Sequence, residues 1–356
     1  MNRRNFISTV GVVAGGAMIG ASSLVQTASA ASASTASAFG QGTINQKARR
    51  IDVHHHFIPA FWAEGLEKNG GDPSGWKMPK WSPETDIAFM DSLGIDVAML
   101  SLTAPGVAGW KVHEAPTMAR RVNEYAAKLG EQYNGRFGSF ATLPMQDIEA
   151  ALKELDYALG TLKAEGIIML SNYGGLYPGD RHFDEVWQEL NRREAVVLIH
   201  PTQPKMELIP GIPGPTADYP FDTTRAALSL LSNRVTTRYP RVKIILSHAG
   251  GFIPYGADRF AQSLGNLGLG FTPEELVEQM KGFYFDTALS ASSTVLPSLM
   301  AFAKPGHVLF GSDIPYAINS KVEWFTRNLD TYKEFSDSDR NAINRLSALP
   351  LFPSIK

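Results

Sequence analysis

Four of the chain's eight histidines close apolar, β-branched runs. His54 and His56 end the stretch Ile51-Asp52-Val53-His54-His55-His56, His200 ends Val196-Val197-Leu198-Ile199-His200, and His248 follows Ile244-Ile245-Leu246-Ser247. Two aspartates, Asp286 and Asp313, end two further runs of this kind. Side chains two apart on a strand share a face, so His54 and His56 can clasp one ion while His55 points outward. His200 and Asp313, arriving from other strands, can complete the shell. Three imidazoles and a carboxylate suit a single divalent ion, zinc first and manganese as an alternative, with one position left for water or substrate. The chain has no cysteine, so thiolate sites, iron–sulfur clusters, disulfides and a cysteine nucleophile are excluded. Any metal must be held by His, Asp or Glu. An HxH pair alone is also what a satisfied core histidine looks like; the added strand-end His, His and Asp give it weight.

Elements must bring these side chains together. From about residue 50 the chain alternates short β-branched runs with longer stretches of helical spacing. Strands are expected at 50–57, 95–103, 136–143, 166–172, 195–201, 242–248, 283–288 and 307–313. Helices are expected at 83–93, 115–133, 147–162, 183–193, 222–238, 256–264, 273–280, 294–303 and 321–332, with a covering helix at 337–347. Runs such as Val196–Ile199 are apolar throughout, as strands buried on both faces of a parallel sheet should be. Eight such units predict a (β/α)8 TIM barrel over residues 47–356, with chemistry at the C-terminal ends of the strands. An open doubly wound sheet would call for a glycine-rich phosphate loop after a strand, and none is present. Phe61, Trp62, Trp76 and Trp81 fall in a Gly/Pro-rich stretch read as a long loop after the first strand. Phe61 and Trp62 are expected either to wall an aromatic substrate pocket or to cover the barrel end.

Composition narrows the class further. The 356 residues are 44% hydrophobic and 19% charged, with 33 basic and 35 acidic side chains. A large core is available, and the basic excess of a nucleic-acid binder is missing. Residues 1–38 differ in composition from the rest, and 1–30 read as a signal peptide. Arg3-Arg4 precedes a glycine-rich apolar run, and Ala28-Ser29-Ala30 has the form of a cleavage site. The layout resembles the twin-arginine export signal of bacteria. The run falls short of the roughly 20 residues of a comfortable membrane span. A periplasmic or secreted location, with the export translocase as a transient partner and no stable membrane anchor, is the expectation. Residues 31–46 read as a flexible linker.

The motifs Ile51–Pro59, His200-Pro201, Ser247-His248-Ala249-Gly250-Gly251 and Gly311-Ser312-Asp313-Ile314-Pro315 together resemble the amidohydrolase-related (amidohydrolase 2) family. The nearest branch is the one typified by aminocarboxymuconate semialdehyde decarboxylase. Trp76–Asp91 and Phe285–Ser290 carry a finer similarity to its 6-methylsalicylate decarboxylase-like members. The resemblance runs from about residue 50 to Phe352. It implies metal ligation by His54, His56, His200 and Asp313, a catalytic His248, and a substrate carboxylate bound by Arg259. It also implies pairing of two copies that share this arginine. Strand four ends Met169-Leu170-Ser171-Asn172, without the bridging lysine of the family's carboxylated-lysine branches, which implies a mononuclear site. Asp286 is expected either to orient His248 or to cap a loop, and Gly250-Gly251 to allow close approach of substrate or a tight turn. His55, His113, His182 and His307 are read as structural or surface.

The implied reaction is non-oxidative decarboxylation of a small aromatic or unsaturated carboxylic acid, with His248 or Asp313 delivering a proton to the carbon that loses carbon dioxide. The same residues could instead hydrolyse an amide or a lactone. A non-catalytic periplasmic metal or ligand binder is the third reading.

Overall fold

The computed structural model describes residues 38–40 and 42–355. The expected export signal lies outside the described residues, as do 31–37 and 41 of the expected linker. Eight parallel strands follow one another around a single sheet: β1 (Arg50–His56), β2 (Ile95–Ser101), β3 (Phe137–Thr142), β4 (Gly166–Leu170), β5 (Val196–His200), β6 (Lys243–Leu246), β7 (Tyr284–Asp286) and β8 (Val308–Leu309). The last strand returns to the first. Phe310 O accepts from Val53 N at 3.0 Å, His54 O from Asp313 N at 2.8 Å and Ile314 O from His56 N at 2.7 Å. The architecture is the expected TIM barrel.

The helices are α1 (Ala60–Lys68), α2 (Pro83–Leu93), α3 (Ala115–Gln132), α4 (Ile148–Gly160), α5 (Asp184–Arg192), α6 (Asp218–Ser232), α7 (Val235–Arg238), α8 (Ile253–Gly265), α9 (Pro273–Lys281), α10 (Val295–Phe302), α11 (Asn319–Thr331) and α12 (Asp337–Asn341). Local signals set many of their ends. Ser82 caps α2 by accepting from Thr85 N, and Gly94 ends it with φ 66°. Thr272 and Glu275 form a reciprocal capping box at α9. None of the described helices is long and apolar enough to cross a membrane.

Three expectations change. The stretch read as a loop after the first strand begins with α1, which buries Trp62 and Leu66 one turn apart before Asn69-Gly70-Gly71 stops it. The single helix expected at 222–238 is two, because Arg234 takes a left-handed φ of 59°. Strand eight is only two residues long, Val308–Leu309, and Asp313 lies four residues beyond it with a left-handed φ of 65°.

The barrel interior is filled from below by Ile51, Val53, Met99, Phe140, Ile168, Leu198, Ile245 and Leu309, closed at the base by Leu351 and Phe352. β1 breaks its register against β2: Asp52 pairs with Ala98 but His55 with Leu100. Three steps on one strand against two on the other make a bulge. Below it the odd positions Ile51 and Val53 point into the core, and above it the even positions His54 and His56 point the same way. Strict alternation would have put the two sets on opposite faces.

Candidate metal centre

His54, His56, His200 and Asp313 converge at the C-terminal mouth, one ligand atom from each lying within 4.8 Å of all the others, and all four are buried. His54 Nε2 stands 3.1 Å from His56 Nε2, and Asp313 Oδ1 stands 3.3 Å and 3.2 Å from those two nitrogens. Ligands at ~2.1 Å in a tetrahedron would be about 3.4 Å apart, so these spacings match a shared ion.

The hydrogen bonds test whether a cation belongs there. His54 Nδ1 meets Asp286 Oδ2 at 2.8 Å, and His56 Nδ1 meets the carbonyl of Ser101 at 3.1 Å. Each Nδ1 therefore carries its proton toward an acceptor, which turns both Nε2 lone pairs toward each other. A cation between them resolves the opposition. Nδ1 of His200 is likewise buried and has no hydrogen-bond partner in the protein. The electrostatics agree. Burial disfavours charge on His54, but Asp286 and Asp313 outweigh it and raise its pKa to about 10, a demand for positive charge at this point. Burial, with its neighbouring imidazoles, depresses His200 and leaves it a neutral ligand. Burial opposes ionisation of Asp313, yet hydrogen bonds from His248, His54 and His56 hold it well below the usual carboxylate range. The residues fit one divalent metal.

Asp313 has two faces. While Oδ1 looks at the histidine ligands, Oδ2 lies 3.5 Å from His248 Nε2. The backbone that places these two groups is strained. His248, Ala249, Gly250 and Gly251 have φ values of 54°, 55°, 75° and 63°, and Asp313 has 65°. A left-handed non-glycine residue costs about 1–2 kcal/mol, and such strain concentrates at working sites. The two glycines serve a tight turn. A Cβ at Gly250 would come within 2.7 Å of the Phe285 ring, and one at Gly251 within 2.1 Å of Pro220 O.

Asp286 holds both parts of the site. Besides orienting the His54 ring, its Oδ1 accepts from His248 N and Ala288 N, each at 2.9 Å. It therefore grips His248 by the backbone rather than by the ring. Strand four gives Ser171 and Asn172 to a buried Asp222, the latter at 2.7 Å, so the place of a bridging lysine is taken by a hydrogen-bonded carboxylate system.

The expected substrate residues are not gathered in the same way. Trp62 lies fully buried in α1, its indole donating to Gly106 O at 2.9 Å and stacking on Trp110, so it presents no surface to the mouth. Phe61 is half-buried against α3, with the Arg121 guanidinium 4.3 Å over its ring and Tyr125 at its edge. Arg259 sits on the exposed side of α8, and its side chain enters no ion pair among the described residues.

Sequence reasoning missed Tyr219 and Tyr316, whose rings stand edge-on to His200 and His56 with centroids 6.5 Å and 5.7 Å away. Burial raises both phenols, keeping them neutral. Tyr316 follows the Asp313 motif by three residues, a signal that could have found it; Tyr219 had none. His55 was also underread. It is fully buried, and against the cost of burial Asp86 and Asp52 raise its pKa to about 10.

An eight-stranded barrel with a single His/His/His/Asp metal centre at its mouth defines the class. The family model described as amidohydrolase matches residues 51–353, and the chain belongs to that family. Among its relatives, decarboxylase yanB of Aspergillus niger is 44% identical over 85% of this chain and 87% of its own length. The 6-methylsalicylic acid decarboxylase of Penicillium expansum is 43% identical over 86% of this chain and 97% of its own. The solved dihydroxybenzoic acid decarboxylase of a Polaromonas species, with bound manganese, shares the fold at a TM-score of 0.69 and 24% identity, covering 86% of this chain and 97% of that one.

Proposed function

We propose that the chain is a metal-dependent carboxy-lyase that removes carbon dioxide, without an oxidant, from a small aromatic acid of the 6-methylsalicylate type. The observation that carries this reading is the placement of His248 against the outer oxygen of Asp313, beside but outside the ligand set. His54, His56, His200 and Asp313 would hold the ion, which would supply Lewis acidity toward the acid substrate. Asp313, held well below the usual carboxylate range among the ligands, is a poor proton source, so His248 would serve as the donor. It would donate from Nε2 to the ring carbon bearing the carboxylate. The carbon–carboxylate bond then breaks, its electron pair restores the ring, and carbon dioxide leaves. Asp313 Oδ2, 3.5 Å from Nε2, would hold the His248 ring toward the substrate. Tyr219 and Tyr316 would flank the ring with neutral, amphipathic walls.

Three finer points belong to the same proposal. The donor set suits zinc, with manganese, the ion of the Polaromonas relative, as the alternative. Arg259 would bind the substrate carboxylate across a homodimer. This is supported by its place on the exposed side of α8 together with Tyr255, which is 90% exposed, and Phe252 just ahead of the helix. The N-terminal thirty residues would direct export to the periplasm or beyond.

Metal-loaded protein incubated with a panel of hydroxybenzoates tests the reading by mass spectrometry of the products. A product lighter by one carbon dioxide is expected. A product heavier by one water would establish hydrolysis instead, and ligand retention without turnover would establish a binder.

A further inference from the structure

Behind the metal-bearing strand, away from the mouth, lies an ionic group that neither ligation nor proton transfer uses. Both nitrogens of the His55 ring face carboxylates, Nδ1 to Asp52 Oδ2 and Nε2 to Asp86 Oδ2, each at 3.0 Å. Each nitrogen must donate, so the ring acts as a two-headed cationic clamp. The space between barrel wall and helix is ordinarily apolar, and a buried array of this kind is costly unless fully satisfied. Here every member is satisfied, and each arm reaches a different part of the site.

The Asp52 arm reaches the ligands. Asp52 Oδ1 accepts from His54 N and Ser312 N, both at 3.1 Å, and Oδ2 also takes the Ser312 hydroxyl. Ser312 immediately precedes Asp313, whose N–H returns to His54 O at 2.8 Å. The Asp86 arm reaches the segment that leads into α2. Asp86 Oδ2 accepts from Trp81 Nε1 at 2.9 Å. Trp81 lies near the end of the segment 69–82 and stands edge-on to Phe57, the residue after the ligand His56, with ring centroids 6.1 Å apart.

We propose that His55 is a positioning residue that locks the segment 69–82, through Asp86 and Trp81, to the strand and turn that carry the metal ligands, through Asp52 and Ser312. Disturbing Asp86, on a helix outside the barrel, then disturbs the metal centre. The inference rests on the metal centre of the proposed function but not on the reaction assigned to it.

The test is a Mn2+ titration of the full chain, followed by the electron paramagnetic resonance of free Mn2+, with kcat and KM measured alongside. His55→Gln and Asp86→Asn should each weaken Mn2+ binding by about tenfold or more, the scale of outer-shell losses at metal sites. The double variant should be no weaker than the worse single one, because one connection is being cut twice. Trp81→Phe should raise KM and leave Mn2+ affinity unchanged. Native-like circular dichroism keeps unfolding out of the comparison; if His55→Gln does not fold, Asp86→Asn and Trp81→Phe still decide the matter. Parental Mn2+ affinity in folded Asp86→Asn, or losses that add in the double variant, would overturn the proposal. If the parent binds Mn2+ and decarboxylates nothing, the reaction assigned above falls while these affinity outcomes still judge His55.

Discussion

The two ends of the barrel bury charge in opposite ways. At the base, the Arg50 guanidinium is fully buried; it donates to Asn45 O at 2.9 Å and to Leu93 O, and pairs with Asp330. Asp330 in turn accepts from Asn45 N at 2.8 Å, so charge meets charge within the protein, although Arg50 Nε is buried without a hydrogen-bond partner. At the mouth, imidazole nitrogens face each other at 3.1 Å and Asp313 is shared among three histidines. That end gathers its donors where one cation would be held. Left-handed non-glycine residues occur at both ends: Arg49, Asn134, Lys163 and Glu194 turn the chain into strands at the base, and His248, Ala249 and Asp313 shape the mouth. Only those at the mouth include a metal-ligand candidate.

The largest expected effect is loss of the ion. A chelator should abolish activity, and a divalent metal should restore it, with no comparable loss of the folded base. Retention of full activity in metal-free protein, checked by elemental analysis, would erase the contrast between the two ends. Next, His248→Ala should lower kcat by about 10²–10⁴-fold, the usual weight of general acid–base catalysis, while metal content stays at the parental value. A variant that instead loses its metal would move His248 into the ligand set.

At the base the expected damage is to stability alone. Asp330→Ala strands the Arg50 charge in a buried site, which should cost about 3–5 kcal/mol, read as a lowered urea midpoint. The folded fraction should bind metal as the parent does; a matching fall in affinity would mean that the two ends are coupled. The smallest effect concerns Glu189 on α5, whose pKa is lowered to about 2, chiefly by hydrogen bonding to Arg192 and then Arg193. Its contribution is present above the ordinary glutamate value and is lost as pH falls through about 2. Glu189→Gln should flatten that part of the acid stability curve and change neutral stability by less than ~1 kcal/mol. A change in turnover from this substitution would count against confining the chemistry to the mouth.

The ligand set was legible because residue type, strand end and order all pointed to it, and each is a local property of the sequence. The covering stretch was not. Gly65, Gly70 and Gly71 suggested a loop where α1 forms, because the burial of Trp62 under Gly106 and Trp110 depends on a segment some forty residues away. His55 was read as pointing outward, and it does leave the mouth, but into a buried pair of carboxylates. One of these, Asp86, lies 31 residues distant, and no pattern within β1 announces it.

By itself the sequence determined which donors could meet a metal, that no thiol could, and that eight strand-ending runs would offer them at one end of a barrel, since alternation and composition act over a few residues. Tertiary structure alone decided that His54 and His56 share the interior with Ile51 and Val53. It also decided which imidazole nitrogen His54 and His56 turn to the ion, and that Arg259 lies on the exposed side of α8. Those outcomes depend on a bulge against β2, on acceptors such as Asp286 and Ser101, and on the packing of α8. They are contacts between parts of the chain far apart in sequence, where neither propensity nor period carries information.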